Sequence, residues 1–152
     1  MGADQTRDVY IHHREVQDKY TYFLLAVTAS AIAFSVQKTD TLFISWSLIP
    51  IGLAVLSWCV SFYCGCKNLV WIQLTLYANL GLLQLNDGSH PELPHNLYEK
   101  EAAKQGVKDA LDRNASIAQK YAIWQYRFLT SGAVLFLVWH ILEMILRTYG
   151  YC

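Results

Sequence analysis

Two sets of side chains hold most of the polar chemistry in this 152-residue chain. The first is a stripe near its end. Stepping by four and three from Gln125 leads to Leu129, Gly132, Phe136, His140, Glu143 and Arg147, which share one face of a helix. Ionisable groups in an apolar helix are costly in lipid, so they face a bundle interior or water. In a ring of identical subunits this stripe would be pore-lining. Leu129 and Phe136 would form a hydrophobic constriction, and Gln125, His140 and Glu143 polar rings beside it. The competing reading is a Glu143–Arg147 helix pair at the membrane edge, with His140 hydrogen-bonded to a neighbour. The second set is Lys100, Lys104 and Lys108, recurring every four residues, with Arg113 and Lys120 beyond. Such a stripe attracts phosphates. Multiplied in an oligomer, it would make a basic vestibule that binds an anionic nucleotide or short oligonucleotide. Glu99, Glu101, Asp109 and Asp112 are interleaved with it, which makes a plain solvated helix face the competing reading.

Other reactive side chains form no recognised catalytic or metal-binding pattern. Cys59, Cys64 and Cys66 lack a second Cys or His pair at zinc spacing and read as buried thiols. Cys152 is a lone thiol. His12 and His13 with Glu15, and His90 and His95 with Glu92, are loose clusters. Met1–Thr6 fits the short myristoylation pattern, from which a multi-span chain gains little. The Asn114-Ala115-Ser116 sequon falls in a segment assigned to the cytoplasm. With no phosphate loop, nucleophile elbow or carboxylate pair, the expectation is a protein that is not an enzyme and needs no cofactor or metal.

The elements that position these residues follow from composition. Hydrophobic residues make up 54% and charged residues 16% of the chain, with zero net charge. A soluble domain carries about 25% charged residues. The balance excludes a disordered chain and a polybasic nucleic-acid binder. Charges are absent from Tyr20–Val36, Leu42–Cys64 and Phe128–Leu142, and about 20 apolar residues cross a bilayer. The expectation is an all-α membrane protein with three transmembrane helices, at 20–37, 42–64 and 124–147. The Leu-rich stretch 68–86 also lacks charge but carries Asn68, Gln73, Thr75, Asn79, Gln84 and Asn86. Counting basic residues favours three spans over four. With three spans and a cytoplasmic N-terminus, ten of the 12 lie inside, and only Lys38 and Arg147 outside, as the positive-inside rule prefers. Four spans would leave five inside. The C-terminus then lies outside, in what reads as a bacterial inner membrane.

Residues 65–123 form the expected cytoplasmic part, long helical extensions folded into an antiparallel hairpin around the Asp87–His95 turn. Asn96 with Glu99 three residues on resembles a capping box, and no proline follows. One helix of about 52 residues should therefore run from there into the membrane. Leu42–Leu85 reads as a helix bent at Pro50, and Thr6–Lys19 as a third extension. Leu69, Ile72, Leu76, Leu80 and Leu83 form an apolar stripe that a helix pair cannot bury, which implies partner contact. Small residues at 26/30 and 29/33 permit close packing, within the chain or between copies.

This arrangement, an apolar hairpin over Tyr20–Cys64 followed by a charged helix over Asn96–Lys120, resembles the small multi-pass effectors of prokaryotic anti-phage defence operons, including the SLATT-like group. The resemblance implies oligomerisation and permeabilisation of the membrane in response to a nucleotide signal. It is architectural and transfers no residue role. The expected function is thus a homo-oligomeric channel or pore-forming effector in the lipid bilayer, gated through its cytoplasmic vestibule. The alternative is a non-conducting anchor that recruits a soluble partner protein.

Overall fold

The computed structural model describes residues 2–40, 46–87 and 96–150, apart from the side chains of 2–15, 17, 18 and 97. These residues form three long helices: α1 (Gly2–Thr39), α2 (Ile49–Asp87) and α3 (Leu97–Thr148). A 3-10 turn, Trp46–Leu48, leads into α2, and no strand occurs among the described residues. All three helices are long and apolar enough to cross a membrane.

Local chemistry explains the helix ends. Asn96 caps α3 as its sequence context suggests: the Tyr98 N–H donates to Asn96 Oδ1 at 3.3 Å and the Lys100 N–H to the Asn96 carbonyl at 3.0 Å. The helix then runs 52 residues and closes where Gly150 takes a left-handed φ of 69°, a conformation glycine adopts without a Cβ clash. At the end of α1 the Thr39 hydroxyl also donates to the Ser35 and Val36 carbonyls of the last turn. The expected helix from Leu42 bent at Pro50 is corrected. Helix α2 begins at Ile49, so Pro50 lies in the first turn, where its missing N–H removes no helical bond. Residues 42–45 lie outside the described residues.

The chain divides into two compact units. The first contains α1, α2 as far as Gly65, and α3 from Trp124 onward. Its buried positions recur at sevens: Thr21, Thr28 and Ser35 on α1; Ile51 and Trp58, and Ala54 and Ser61, on α2; Gln125 and Trp139 on α3, with Gly132 also buried between the last two. A 3.5-residue repeat is the seam of a left-handed bundle. Here the seam mixes small and polar residues with Ile51, Trp58 and Trp139. The largest fully buried side chains are Gln125, Thr28, Ser35 and Ser61, whereas Phe23, Leu53, Leu56, Val134, Leu137 and Ile141 point outward. A water-soluble bundle keeps most of its large apolar side chains inside.

Direction follows from the contacts. Ser57 reaches Phe128 and Ser61 reaches Gln125, so α2 and α3 run antiparallel here. The Phe34 and Phe136 rings lie 6.1 Å apart, and Lys38 shares a cleft with Glu143 and Arg147, so α1 runs parallel to α3.

The second unit comprises 66–123. Asn68, Leu85, Asn114 and Ala118 are buried among its described residues. Of the expected apolar stripe, Leu69 and Ile72 are half-buried, while Leu76, Leu80 and Leu83 remain exposed, as do Leu74 and Tyr77.

Two glycines permit the close approach in the first unit. A Cβ on Gly65 would come within 2.6 Å of Gln125 Nε2, and one on Gly132 within 2.6 Å of Trp58 Cδ1. Nothing lies within 4 Å of a Cβ at Gly52. Gly65→Ala and Gly132→Ala should each destabilise the detergent-solubilised protein by about 1–3 kcal/mol through overpacking. Gly52→Ala should be neutral or stabilise by up to about 1 kcal/mol from helix propensity. Thermal unfolding followed by circular dichroism measures all three.

Candidate functional site

The stripe chosen as pore-lining begins inside the three-helix seam and leaves it. The Gln125 side chain is 1% exposed. Its backbone carbonyl accepts a 2.7 Å bond from Ser61 Oγ, and its Nε2 has no hydrogen-bond partner among the described residues. The next contacts are stitched in the same way. Ser57 Oγ donates to the Phe128 carbonyl at 2.8 Å and Trp58 Nε1 to the Leu129 carbonyl at 3.2 Å. Each carbonyl has a second lone pair to offer beyond its helical bond.

Phe136 belongs to an aromatic cluster. Its ring lies 6.1 Å from Phe34, 5.9 Å from Trp58 and 5.6 Å from Trp139, all within the tilted-pair range. Leu129 and Phe136 are half-buried. Among the stripe residues, Gln125, Gly132 and Phe136 therefore pack within one chain.

His140 is exposed, and the neighbouring Trp139 is buried in its place. The reason is geometric. Fours and threes between Gln125 and Arg147 average about 3.67 residues per step, whereas the seam repeats every 3.5. The two patterns coincide at Gln125 and Gly132 and separate by Trp139. Glu143 and Arg147 pair along the helix, with Arg147 Nε donating to Glu143 Oε1 at 3.1 Å.

At this end of the first unit lies a cleft of about 460 Å³ between α1 and α3. Phe34, Phe136 and Met144 supply its apolar lining, and Lys38, His140, Glu143 and Arg147 its polar lining. Trp139 also lines it. Lys38 Nζ sits 5.7 Å from the Phe34 ring centre, a cation–π distance. Lys38, Phe34 and Trp139 were not read as site residues from the sequence.

In the second unit the basic set is spread out. Lys100 and Lys104 are half-buried, Lys108 and Arg113 exposed. Arg113 lies five residues after Lys108, about 140° around the helix, so it does not extend their row. Glu99, Glu101, Asp109 and Asp112 are exposed beside them, and Gln105 Nε2 donates to Asp109 Oδ1 at 3.0 Å. Asn114 of the sequon is buried.

The cysteine reading is corrected. Cys64 is buried, but Cys59 and Cys66 are exposed, because they lie seven apart on the face opposite the seam. His12, His13, Glu15, His90, Glu92, His95 and Cys152 lie outside the described residues or side chains.

No protein family, curated protein or solved structure matches this chain.

The packing role of Phe136 can be separated from that of His140. Phe136→Ala should lower unfolding stability by about 2 kcal/mol, below the 3–5 kcal/mol of a fully buried ring. His140→Ala should fall within about 0.5 kcal/mol of wild type. Equilibrium unfolding in mixed micelles distinguishes them.

Proposed function

We propose that this chain is a three-span membrane protein that assembles with copies of itself into a channel or pore-forming effector. The observation that carries this reading is the make-up of the three-helix unit: hydroxyls, the Gln125 amide, Gly65 and Gly132 lie inside beside Ile51, Trp58 and Trp139, while most other large apolar side chains face outward. Such a unit is suited to lipid, where apolar surface needs no cover and small or polar residues hold helices together. Its charges support the same reading. Lys19 to Lys38 on α1 covers 19 residues, or about 28 Å, and Arg127 to Arg147 on α3 covers 20, or about 30 Å. Both match the hydrocarbon thickness of a bilayer. Parallel α1 and α3 with antiparallel α2 is the order an N-in, C-out chain of three spans requires.

Self-association is supported by the face of α1 that its own chain leaves uncovered. Ala26, Ala29, Ser30, Ala33 and Gln37 are all exposed. Small side chains allow helix backbones of neighbouring copies to meet there, and Ser30 and Gln37 are the polar groups that a lumen between copies would use. Such a lumen runs along this face. It does not run along Gln125–Phe136, which the chain packs against itself. Residues 65–123 then form the cytoplasmic part, and Lys100, Lys104 and Lys108 are its candidate contacts for an anionic ligand. A gating ligand must bind open and closed states unequally. The resemblance to anti-phage membrane effectors makes membrane permeabilisation during infection the biological setting.

A second reading is favoured by the uncovered Leu74, Tyr77, Leu80 and Leu83. There the chain is an anchor, and this face receives a soluble partner protein.

Purified protein in liposomes should release a trapped small-ion dye. With the 4 native cysteines replaced by alanine, Ser30→Cys and Ala33→Cys should cross-link copies on oxidation, and Leu137→Cys should not. A monomer without flux that nevertheless forms a stable complex with a soluble protein would overturn the channel reading in favour of the anchor.

A further inference from the structure

The cleft between α1 and α3 has the chemistry of a phosphate site with an apolar floor. We infer that it binds the headgroup phosphate of a phospholipid, with an acyl chain lying along the aromatic lining. The inference rests on the three-span reading, which puts this cleft at the outer boundary of the bilayer: Lys38 lies in the last turn of α1 and Arg147 in the last turn of α3. Lipid phosphates occupy that depth, and cationic and aromatic side chains are their usual neighbours.

Three features support a ligand here. The first is an orphan donor. Trp139 is 5% exposed and lines the cleft; its indole Nε1–H is itself enclosed by protein and has no acceptor among the described residues, so a ligand oxygen meets it once the ring turns toward the cleft. A buried N–H without a partner is uncommon, because it has lost its hydrogen bonds to water with none gained in return. Trp58, on α2, shows the contrast: its indole N–H is bonded to the Leu129 carbonyl at 3.2 Å.

The second feature is charge. Lys38 and Arg147 contribute two positive charges, and Glu143 one negative. The net charge of one suits the single negative charge of a phosphodiester. Glu143 contacts Arg147 through Nε, and a guanidinium carries further N–H donors on its terminal nitrogens. The carboxylate thus holds Arg147 along the helix without consuming its donor capacity. His140 adds a ring nitrogen to the same lining.

The third feature is shape. The cleft is about 460 Å³, within the range of small-molecule sites. Phe34, Phe136 and Met144 form its apolar side, against which a hydrocarbon chain packs and a free phosphate ion gains nothing.

The test uses the full-length protein reconstituted in phosphatidylglycerol nanodiscs and then delipidated mildly. Native mass spectrometry counts the phospholipid retained per chain. Wild type should retain phospholipid. Lys38→Gln and Trp139→Phe should each weaken retention about tenfold, the effect of losing one hydrogen bond to a charged group. Trp139→Phe removes the N–H while keeping an aromatic ring, and circular dichroism should show an unchanged helix content. Ile141→Ala, exposed on the neighbouring position, should leave retention unchanged.

Two competition arms separate the sources. Diacylglycerol, which has the same tails and no phosphate, should not be retained, and millimolar inorganic phosphate should not displace the lipid. Retention of diacylglycerol equal to that of phospholipid would reduce the cleft to an apolar groove and overturn the inference. Displacement by inorganic phosphate would make it a free-anion site and would also overturn it. Protein that enters nanodiscs but retains no phospholipid defeats this site alone. Protein that cannot be reconstituted defeats the three-span reading and the site with it.

Discussion

Three side chains of α2, Ser57, Trp58 and Ser61, donate to carbonyls of Phe128, Leu129 and Gln125 on α3. A hydroxyl can reach a carbonyl on a neighbouring helix only when the two backbones come unusually close. Gly65 and Gly132 provide that closeness, since a Cβ at either would collide with Gln125 or Trp58. The rest of the first unit follows from this seam. With small and polar residues sharing the space between helices with Ile51, Trp58 and Trp139, most other large apolar side chains face outward. In water such a unit would expose its apolar surface at a large cost. In lipid the same surface costs nothing, and the seam supplies the van der Waals contact and hydrogen bonding that hold helices there.

The seam also limits where function can reside. Gln125, Gly132 and Phe136 are committed to packing within the chain, so in the proposed channel a conduction path would use faces that remain uncovered. The small-residue face of α1 is one. The cleft between α1 and α3 has its own chemistry. Lys38 reaches it from α1, and Trp139, His140, Glu143 and Arg147 from α3. It exists because α1 and α3 run parallel and their terminal turns finish together.

Some of this was legible from residue order. The cap at Asn96 and the unbroken helix after it follow from one side chain three residues before Glu99 and from the absence of proline, both local facts. Pro50 misled because a proline bends a helix in its interior and starts one in its first turn, and the choice depends on where the preceding chain turns. The stripe Gln125–Arg147 contained two true seam positions. It drifts away from the seam beyond Gly132 because a straight helix and a supercoiled one differ by a fraction of a residue per turn. That difference accumulates until Trp139 replaces His140. The cysteines failed for a related reason. Burial along α2 depends on which side faces α3, and three cysteines spaced five and two apart cannot share one side.

Composition and charge placement by themselves determined that the chain is helical, that three segments are apolar and long enough to cross a membrane, and that basic residues bracket them. These are sums over local preference and length, which need no knowledge of neighbours. Which face of each helix lies inside, which polar groups find partners, and that Lys38 meets Arg147 across a cleft were decided only by tertiary structure. The reason is that all three helices are apolar around most of their circumference. With no single hydrophobic stripe to orient them, rotation about each axis is set by shape, by where two glycines let a neighbouring helix approach and where an indole and two hydroxyls find carbonyls to bind.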